Sequence, residues 1–305
     1  MAEKRRRWIW IAVLVAIPLV PALLFALASW TKPQQTGTIA MAVFQALPPS
    51  VRLQPAAWNM MNAYLRATIP DDQPREVKQE TKRRKRADYL VVALGDSITA
   101  GQNIDPDKRW TFRLQKLMHH RLRANVNVVN AGVPGEIAPL GAKRVARDVL
   151  ALKPNLAIIG YLINDGRIFG PGLDGQGQTL VTYDEYVGAM RAMVSQVRNA
   201  RIPVLVYTCQ PIQPNFFGFE HANWATLQEI VLTARVLALQ TMAKENDVPL
   251  ADSFTKIAEL SDPSALYDPD HMHLNAEGNK LVAQIIFQTW AEAIYPSLIA
   301  QPAAQ

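Results

Sequence analysis

The chain has 305 residues, of which 49% are hydrophobic and 19% are charged, the balance of a globular protein rather than a disordered or fibrous one. Its single cysteine, Cys209, excludes an intrachain disulfide and a cysteine-rich metal site. The net charge of +6 comes from two basic runs, residues 4–7 and 82–86; outside these runs and Glu3 the chain has 23 basic and 25 acidic residues. The remaining chain is therefore not basic, which argues against nucleic-acid binding.

The stretch from Trp8 to Trp30 is apolar and uncharged over 23 positions. As a helix it would be about 34 Å long, enough to cross a hydrocarbon core of about 30 Å. Residues 1–31 are therefore predicted to be a basic cytoplasmic tip followed by a transmembrane signal-anchor. The basic residues before the stretch keep the N-terminus in the cytoplasm and place the rest of the chain outside it. The alternative is a signal peptide cleaved before Ser29, which would leave a secreted protein.

Residues 32–87 are interrupted by prolines and end in the basic run 82–86, which predicts a stalk or linker. Within this region, the apolar residues of the segment 56–69 recur at helical spacing, so a short amphipathic helix is expected there. That helix could pack on the main domain or lie in the membrane interface. The basic run could contact anionic lipid headgroups.

Between residues 88 and 297, short apolar runs alternate with longer amphipathic stretches. Strands are predicted at 89–94, 125–130, 156–162, 204–209 and 248–251. Helices are predicted at 108–122, 140–152, 183–199, 223–245 and 274–294, the third of them opened by a capping box at Thr182-x-x-Glu185. This alternation predicts an α/β domain, a three-layer α/β/α sandwich with a central, mostly parallel sheet, followed by a tail at 298–305.

The residues that follow the predicted strands suggest a chemistry, because ligands of open parallel sheets bind beyond the carboxyl ends of the strands. Four such segments stand out: Gly95-Asp96-Ser97, Asn130-Ala131-Gly132, Ile163-Asn164-Asp165 and the run 268–275 before the last helix. A serine hydroxyl becomes a nucleophile when a histidine oriented by an acid removes its proton. The oxyanion formed on an ester also needs hydrogen-bond donors, and backbone N–H groups and an asparagine amide are suitable types.

In this order, the four segments resemble the SGNH hydrolase family, the GDSL-type esterases and lipases, over roughly residues 88–295. The resemblance implies an SGNH/flavodoxin-like fold that needs neither cofactor nor metal. It implies a catalytic triad of Ser97, Asp270 and His273. It also implies an oxyanion hole formed by Ser97, Gly132 and Asn164, with Asp96, Asp165 and His271 as candidate substrate-binding residues.

The sequence differs from the family pattern at one position and offers two histidines for the base. Leu162 stands where the family usually has a glycine, which affects the predicted backbone path and the shape of the pocket. Asp268-x-x-His271 has the same spacing as Asp270-x-x-His273, but Asn275 after His273 is a good N-cap for the closing helix, so His273 is preferred. A metal cluster in the same loop is disfavoured, since no other histidine or cysteine lies near a strand end.

The predicted function is a carboxylic-ester hydrolase acting on lipid or acylated-glycan esters at the cell envelope. The alternatives are an O-acyltransferase that uses the same triad, and a catalytically silent envelope-binding module. The glycine-rich segment 166–178 is a candidate lid or a plain surface loop. The aromatic segment 211–224 either lines the substrate cleft or covers the edge of the sheet.

Overall fold

The computed structural model describes residues 55–168, 179–214, 216 and 222–300. The predicted membrane segment and the C-terminal residues 301–305 lie outside the described residues. Within the described part of the chain, no helix is both long enough and apolar enough to cross a membrane. The chain divides into two compact units, residues 1–71 with 171–177, and residues 72–170 with 178–305.

The described part of the first unit contains one helix, α1 Pro55–Ala67. It coincides with the amphipathic segment predicted at 56–69, so the prediction of a helix there is confirmed. What its apolar residues cover stays a prediction.

The second unit is built on a five-stranded sheet in which all neighbouring strands are parallel. In chain order the strands are β1 Tyr89–Gly95, β2 Val126–Gly132, β3 Leu156–Gly160, β4 Val204–Tyr207 and β5 Leu250–Ala251. Their spatial order is β2-β1-β3-β4-β5. Gly95 at the end of β1 pairs with Gly132 of β2 on one side and with Gly160 of β3 on the other, so three strands end side by side.

The helices of this unit, in chain order, are α2 Arg75–Thr81, α3 Ser97–Ala100, α4 Trp110–Leu122, α5 Ala138–Asp148, α6 Ile163–Gly166, α7 Tyr183–Asn199, α8 Ala222–Glu245, α9 Ser253–Ala258, α10 Ala276–Ala293 and α11 Tyr295–Ile299. Helix α4 packs with α10, whereas α7 packs with both α5 and α8. Right-handed crossovers between parallel strands place these two groups on opposite faces of the sheet. The predicted α/β fold with a central parallel sheet is confirmed.

The sequence explains where these elements form. All seven residues of β1 and all five of β3 are buried, as expected for strands covered by helices on both faces. The predicted capping box opens α7: Thr182 Oγ1 accepts the Glu185 N–H at 3.3 Å, and the Glu185 carboxylate accepts the Thr182 N–H at 3.0 Å. Asn275 Oδ1 accepts the backbone N–H groups of Glu277 and Gly278 at the start of α10.

Helix α2 lies in the region predicted to be a stalk, but it packs along the edge strand β2. The Glu80 carboxylate accepts a hydrogen bond from Asn127 Nδ2, and the Glu76 carboxylate accepts one from the Asn130 backbone N–H, both at 2.7 Å. An edge strand has unpaired backbone groups, and α2 satisfies one of them. The compact unit accordingly begins at Asp72, whereas the change of sequence pattern places the boundary at residue 88.

The short helices α3, α6 and α9 were not predicted. With four to six residues each, they are too short to show a helical period in the sequence. Strands β3 and β4 end two residues earlier than predicted, at Gly160 and Tyr207. After Gly160 the buried apolar residues Tyr161 and Leu162 continue the run, which is why the sequence pattern extends β3 too far.

Candidate active site

Ser97 lies at the turn from β1 into α3. Asp96 is the N-cap of this helix, and its Oδ1 accepts the Ile98 N–H at 2.8 Å. Gly95 makes the turn possible, because a Cβ there would lie 2.0 Å from Thr99 Oγ1. Ser97 is the first residue of α3, so its backbone N–H belongs to the helix terminus that lacks intrahelical acceptors.

The side chains of Ser97, His273 and Asp270 form a continuous hydrogen-bonded row. His273 Nε2 lies 3.0 Å from Ser97 Oγ, and His273 Nδ1 lies 2.5 Å from Asp270 Oδ2. The loop that holds them is fixed by Asp270 Oδ1, which accepts the backbone N–H groups of Met272 and His273 at 3.0 and 2.9 Å. Ser97 and His273 are only 6% and 5% exposed. The structure therefore brings the three predicted triad residues together in the order that nucleophilic catalysis needs.

Asp270 is held in its charged form. Partial burial alone would raise its pKa, but hydrogen bonds from the His273 ring and from the His273 and Met272 backbone hold the pKa below its usual range. A carboxylate that stays ionised fixes the tautomer of the histidine that it accepts from, with the proton on Nδ1. The Nε2 atom of His273 is then left with a lone pair directed at the Ser97 hydroxyl.

His271, the other histidine that fits the spacing, lies elsewhere in the loop. Its backbone has a φ of +59°, and its carbonyl accepts the Gln213 N–H at 3.0 Å. It is partly exposed. A contact between His271 and substrate stays a prediction.

Gly132 differs from its predicted part in the oxyanion hole. Its N–H already donates to Asn130 Oδ1 at 2.9 Å. The residue is a glycine because helix α3 passes close to it: a Cβ would lie 2.2 Å from the Ala100 backbone nitrogen. The assignment of Gly132 as an oxyanion donor is therefore corrected, since its donor is used within the fold.

The neighbouring Gly135 has a backbone N–H that is available as an oxyanion donor, whereas the N–H of Gly132 is not. Residues 133–136 form a turn closed by a 3.1 Å hydrogen bond from the Glu136 N–H to the Val133 carbonyl, and Gly135 has a φ of +80°. Proline followed by a glycine of positive φ is typical of a type II turn. Gly135 is exposed, and its N–H has no acceptor among the described residues. The Pro134-Gly135 pair is the signal in the sequence that locates this turn.

Asn164 lies in α6, directly beyond β3. Its Nδ2 donates to the Glu136 carbonyl at 3.0 Å, which places the amide beside the turn that holds Gly135. A primary amide has two N–H groups, so one remains for a ligand. Leu162, in the position of the family glycine, has a φ of −166° and a fully buried side chain. This φ lies outside the left-handed region that favours glycine, so a leucine can occupy the position.

Residues 93–281 match the model of the GDSL-like Lipase/Acylhydrolase family. This match covers more than half of the 305-residue chain. The chain belongs to this family. It is therefore an ester-hydrolysing enzyme, as the sequence predicts.

Other similar proteins share little sequence with this chain. YqeF, an uncharacterized lipoprotein of Bacillus subtilis (strain 168), is 24% identical over 212 residues, which cover 63% of this chain and 85% of that protein. The lipase/acylhydrolase from Enterococcus faecalis is 19% identical and has a TM-score of 0.51, over 66% of this chain and 95% of that one. A mutant of Axe2, an acetyl-xylooligosaccharide esterase from Geobacillus Stearmophilus, is 19% identical with a TM-score of 0.53, over 72% and 97% of the two chains. These structures share the fold.

In this GDSL-like hydrolase, Asp96 and Asp165 do not face a substrate. Both are fully buried. Asp165 Oδ1 accepts the Ala138 N–H at 2.8 Å, at the start of α5. Burial raises the pKa of Asp96 to about 7, with nearby Glu136 adding to the effect, and burial raises the pKa of Asp165 well above its usual range. The two aspartates cap helices below the site, which corrects the predicted substrate contact.

A buried ion network supports the turn that holds Gly135. Arg144 Nη2 donates to Glu136 Oε2 at 2.6 Å, and Arg144 Nη1 donates to Asp148 Oδ2 at 3.0 Å. The Tyr161 hydroxyl also donates to Glu136 Oε2 at 2.6 Å. Arg144 further donates to the carbonyls of Gly95 and Ala131 at the ends of β1 and β2. The side chain of Glu136 is thus held from below while its carbonyl accepts the Asn164 amide.

The two predicted substrate loops are described only in part. Residues 169–178 of the candidate lid lie outside the described residues, and its two ends are joined by an antiparallel bridge between Ile168 and Thr179. In the aromatic segment, Phe216 is buried and the Arg167 guanidinium lies 5.1 Å from the centre of its ring. The side chains of Phe217, Phe219 and Trp224 lie outside the described residues, so both predictions stand as made.

Proposed function

We propose that this chain is a serine-dependent carboxylic-ester hydrolase in which Ser97 forms an acyl-enzyme. The observation that carries the proposal is the hydrogen-bonded row from Asp270 through His273 to Ser97, with separations of 2.5 and 3.0 Å. The row supplies the three groups that the reaction requires: the ionised carboxylate of Asp270, the oriented imidazole of His273 and the hydroxyl of Ser97.

The reaction proceeds in two halves. His273 Nε2 removes the Ser97 proton as Ser97 Oγ attacks the ester carbonyl, and Asp270 stabilises the imidazolium that forms. The tetrahedral intermediate expels the alcohol, which takes the proton from His273, and leaves the acyl group on Ser97. Water, activated by His273 in the same way, then releases the carboxylic acid and restores the serine.

The negative oxygen of the intermediate needs donors fixed in place before the reaction. We assign them to the backbone N–H of Ser97, the backbone N–H of Gly135 and the free Nδ2 hydrogen of Asn164. These groups come from the ends of β1, β2 and β3, which lie side by side. The bond from Asn164 to the Glu136 carbonyl supports this assignment because it holds two of the three donors next to each other.

Removing the Asn164 amide tests the oxyanion assignment. Asn164→Ala is expected to lower kcat for 4-nitrophenyl acetate by about 10² to 10³, since removal of one oxyanion donor has this effect. Asn199→Ala, an exposed asparagine at the end of α7, is the matched control and should leave kcat within about twofold. Unfolding by urea is measured for both variants, so that loss of fold is distinguished from loss of a donor. An unchanged kcat in a folded Asn164→Ala would remove Asn164 from the site.

The substrate proposed is a lipid or acylated-glycan ester of the cell envelope. A protein of the same fold, Axe2, acts on acetylated xylooligosaccharides, which supports the glycan part of the proposal. The envelope location depends on residues 8–30, which we propose to be an uncleaved membrane anchor with its N-terminus in the cytoplasm. Their uncharged length and the basic residues before them support this anchor. The description of YqeF as a lipoprotein supports a location at the membrane.

The anchor is tested by the mass of the mature chain. Expression in a bacterial host and purification from membranes should give the mass of the complete sequence, and alkaline washing should leave the chain in the membrane fraction. A mature chain that begins at Ser29, or one found in the medium, would replace the anchor by a cleaved signal peptide.

A further inference from the structure

A cavity of about 740 Å³ lies beside the candidate active site. One wall is formed by Ala100, Gly132 and Pro134. Ala100 is the last residue of α3, whose first residue is Ser97, so the two are about 4.5 Å apart along the helix. Pro134 directly precedes Gly135 in the oxyanion turn. The cavity is therefore adjacent to the nucleophile helix and has the size of a small-molecule binding site.

Four other lining residues come from the part of the chain that precedes the family match. Pro74, Arg75, Glu76 and Gln79 belong to α2 or its N-cap and line the cavity. The match to the family begins at residue 93. Helix α2 is fixed in place, because the Glu76 carboxylate accepts the Asn130 N–H at 2.7 Å. A helix outside the matched region therefore helps to shape the cavity, and this helix is held against β2.

The lining of the cavity suits hydroxyl groups and not an acyl chain. Ile104 is the one large aliphatic side chain among the lining residues that the structure describes. Side-chain amides and charges of both signs make up half of the rest: Gln79, Gln102, Asn103, Arg75, Arg109, Glu76 and Asp105. The two cations and the two carboxylates balance, so the lining gives no preference for an anion. Planar side chains that donate and accept in pairs match the neighbouring hydroxyls of a sugar.

Arg109 also lines the cavity, and its side chain is partly exposed. Its Nε atom is buried and has no hydrogen-bond partner within the described part of the chain. Its aliphatic stem packs on Gly101, where an added Cβ would lie 2.5 Å from Arg109 Cγ. This packing closes off Nε, so the outer guanidinium nitrogens of the partly exposed side chain are the donors that a ligand in the cavity would reach.

We propose that this cavity binds the carbohydrate portion of an acylated glycan, so that the ester of the bound sugar is presented to Ser97. This rests on the proposed hydrolase function and narrows its substrate class from lipid or glycan esters to glycan esters. The acyl group occupies the site of the triad, and the sugar, the alcohol that leaves, occupies the cavity between α2 and the loop that follows α3.

The test compares a sugar ester with an ester that has no sugar. Wild type, the double variant Gln79→Ala/Gln102→Ala and the filling variant Gln102→Trp are prepared as the full chain in detergent. Each is assayed on acetylated glucose, cellobiose and xylotetraose, and on 4-nitrophenyl acetate. Gln79 and Gln102 are exposed on the cavity wall, so their replacement spares the fold. Gln284→Ala, an exposed glutamine on α10 away from the cavity, is the matched control.

The double variant should raise KM for at least one acetylated sugar and lower its kcat/KM about tenfold, the effect of losing two neutral hydrogen bonds. The filling variant should lower kcat/KM for that sugar further. In both variants, kcat/KM for 4-nitrophenyl acetate should stay within twofold of the wild-type value. Unchanged kcat/KM on every sugar, or an equal loss on 4-nitrophenyl acetate, would overturn the proposed cavity and leave the hydrolase intact. Failure of wild type to hydrolyse any of the four esters would instead overturn the hydrolase. Calorimetry with xylotetraose, cellobiose and glucose then tests sugar binding without the reaction. If wild type binds none of these sugars, the proposed cavity is rejected. Binding to wild type that is lost in Gln102→Trp supports the cavity.

Discussion

Replacing His273 with asparagine is expected to lower kcat/KM for 4-nitrophenyl acetate by about 10⁴ to 10⁶, as loss of a triad base does elsewhere. His273 Nε2 is the atom within hydrogen-bond distance of Ser97 Oγ, at 3.0 Å. Without it, the serine hydroxyl keeps its proton at neutral pH and attacks slowly. Ser97→Ala should lose at least as much, and the double variant should lose no more than Ser97→Ala alone, because the two residues act as one unit.

His271 provides a matched control for the choice of base. It lies two residues from His273 and has its own aspartate at the same spacing, but its backbone φ of +59° sets it apart. Asparagine tolerates that conformation, so His271→Asn should fold and should reduce kcat/KM by less than about tenfold. If His271→Asn caused the larger loss, the assignment of the base, and with it the geometry of the site, would be wrong.

Removing Arg144 is expected to have the largest effect on stability. Arg144→Met should lower the free energy of unfolding by about 3–5 kcal/mol, because it leaves the buried carboxylates of Glu136 and Asp148 without their shared cation. The side chains of all three are at most 3% exposed, so water cannot take the place of the guanidinium. Urea unfolding at neutral pH measures the change. The hydrogen bonds from Arg144 to the ends of β1 and β2 are lost at the same time.

Arg147 is the control for this experiment because it pairs with the same aspartate from the surface. Its Nε lies 2.8 Å from Asp148 Oδ1, but its side chain is 39% exposed. Exposed ion pairs are worth about 0–1 kcal/mol, so Arg147→Met should change the free energy of unfolding by no more than that. Equal losses in the two variants would contradict the view that the buried network holds the oxyanion turn.

The sequence was sufficient to predict the elements whose pattern is local. The capping box of Thr182 and Glu185 predicts the start of α7, and Asn275 predicts the start of α10. Each of these caps bonds to backbone groups within three residues, so the signal is local in the sequence. The strands β1 and β3 are recognisable as apolar runs because both of their faces are buried. The triad was predicted from the resemblance of the four segments to the SGNH hydrolases.

The features that were missed depend on contacts between distant segments. Gly132 ends β2 and Gly135 lies in the turn that follows it. The approach of α3 requires a glycine at position 132, and the hydrogen bond from the Gly132 N–H to Asn130 Oδ1 leaves Gly135 as the available donor. Asp96 and Asp165 are polar residues beside the nucleophile and the oxyanion asparagine, but the packing of helices over them decides that they are buried. The position of α2 on β2 is likewise set by tertiary contacts, because its short polar sequence has no apolar period.

The most direct test of the proposed catalytic role is to find where a covalent ester mimic attaches. The full chain is incubated with a fluorophosphonate, which reacts with activated serines, and the labelled peptide is identified by mass spectrometry. We expect one equivalent of label on Ser97 and none in His273→Asn, because the hydroxyl reacts only when His273 removes its proton. Label on another serine, or ester hydrolysis that continues while Ser97 stays unlabelled, would contradict the assignment of Ser97 as the nucleophile.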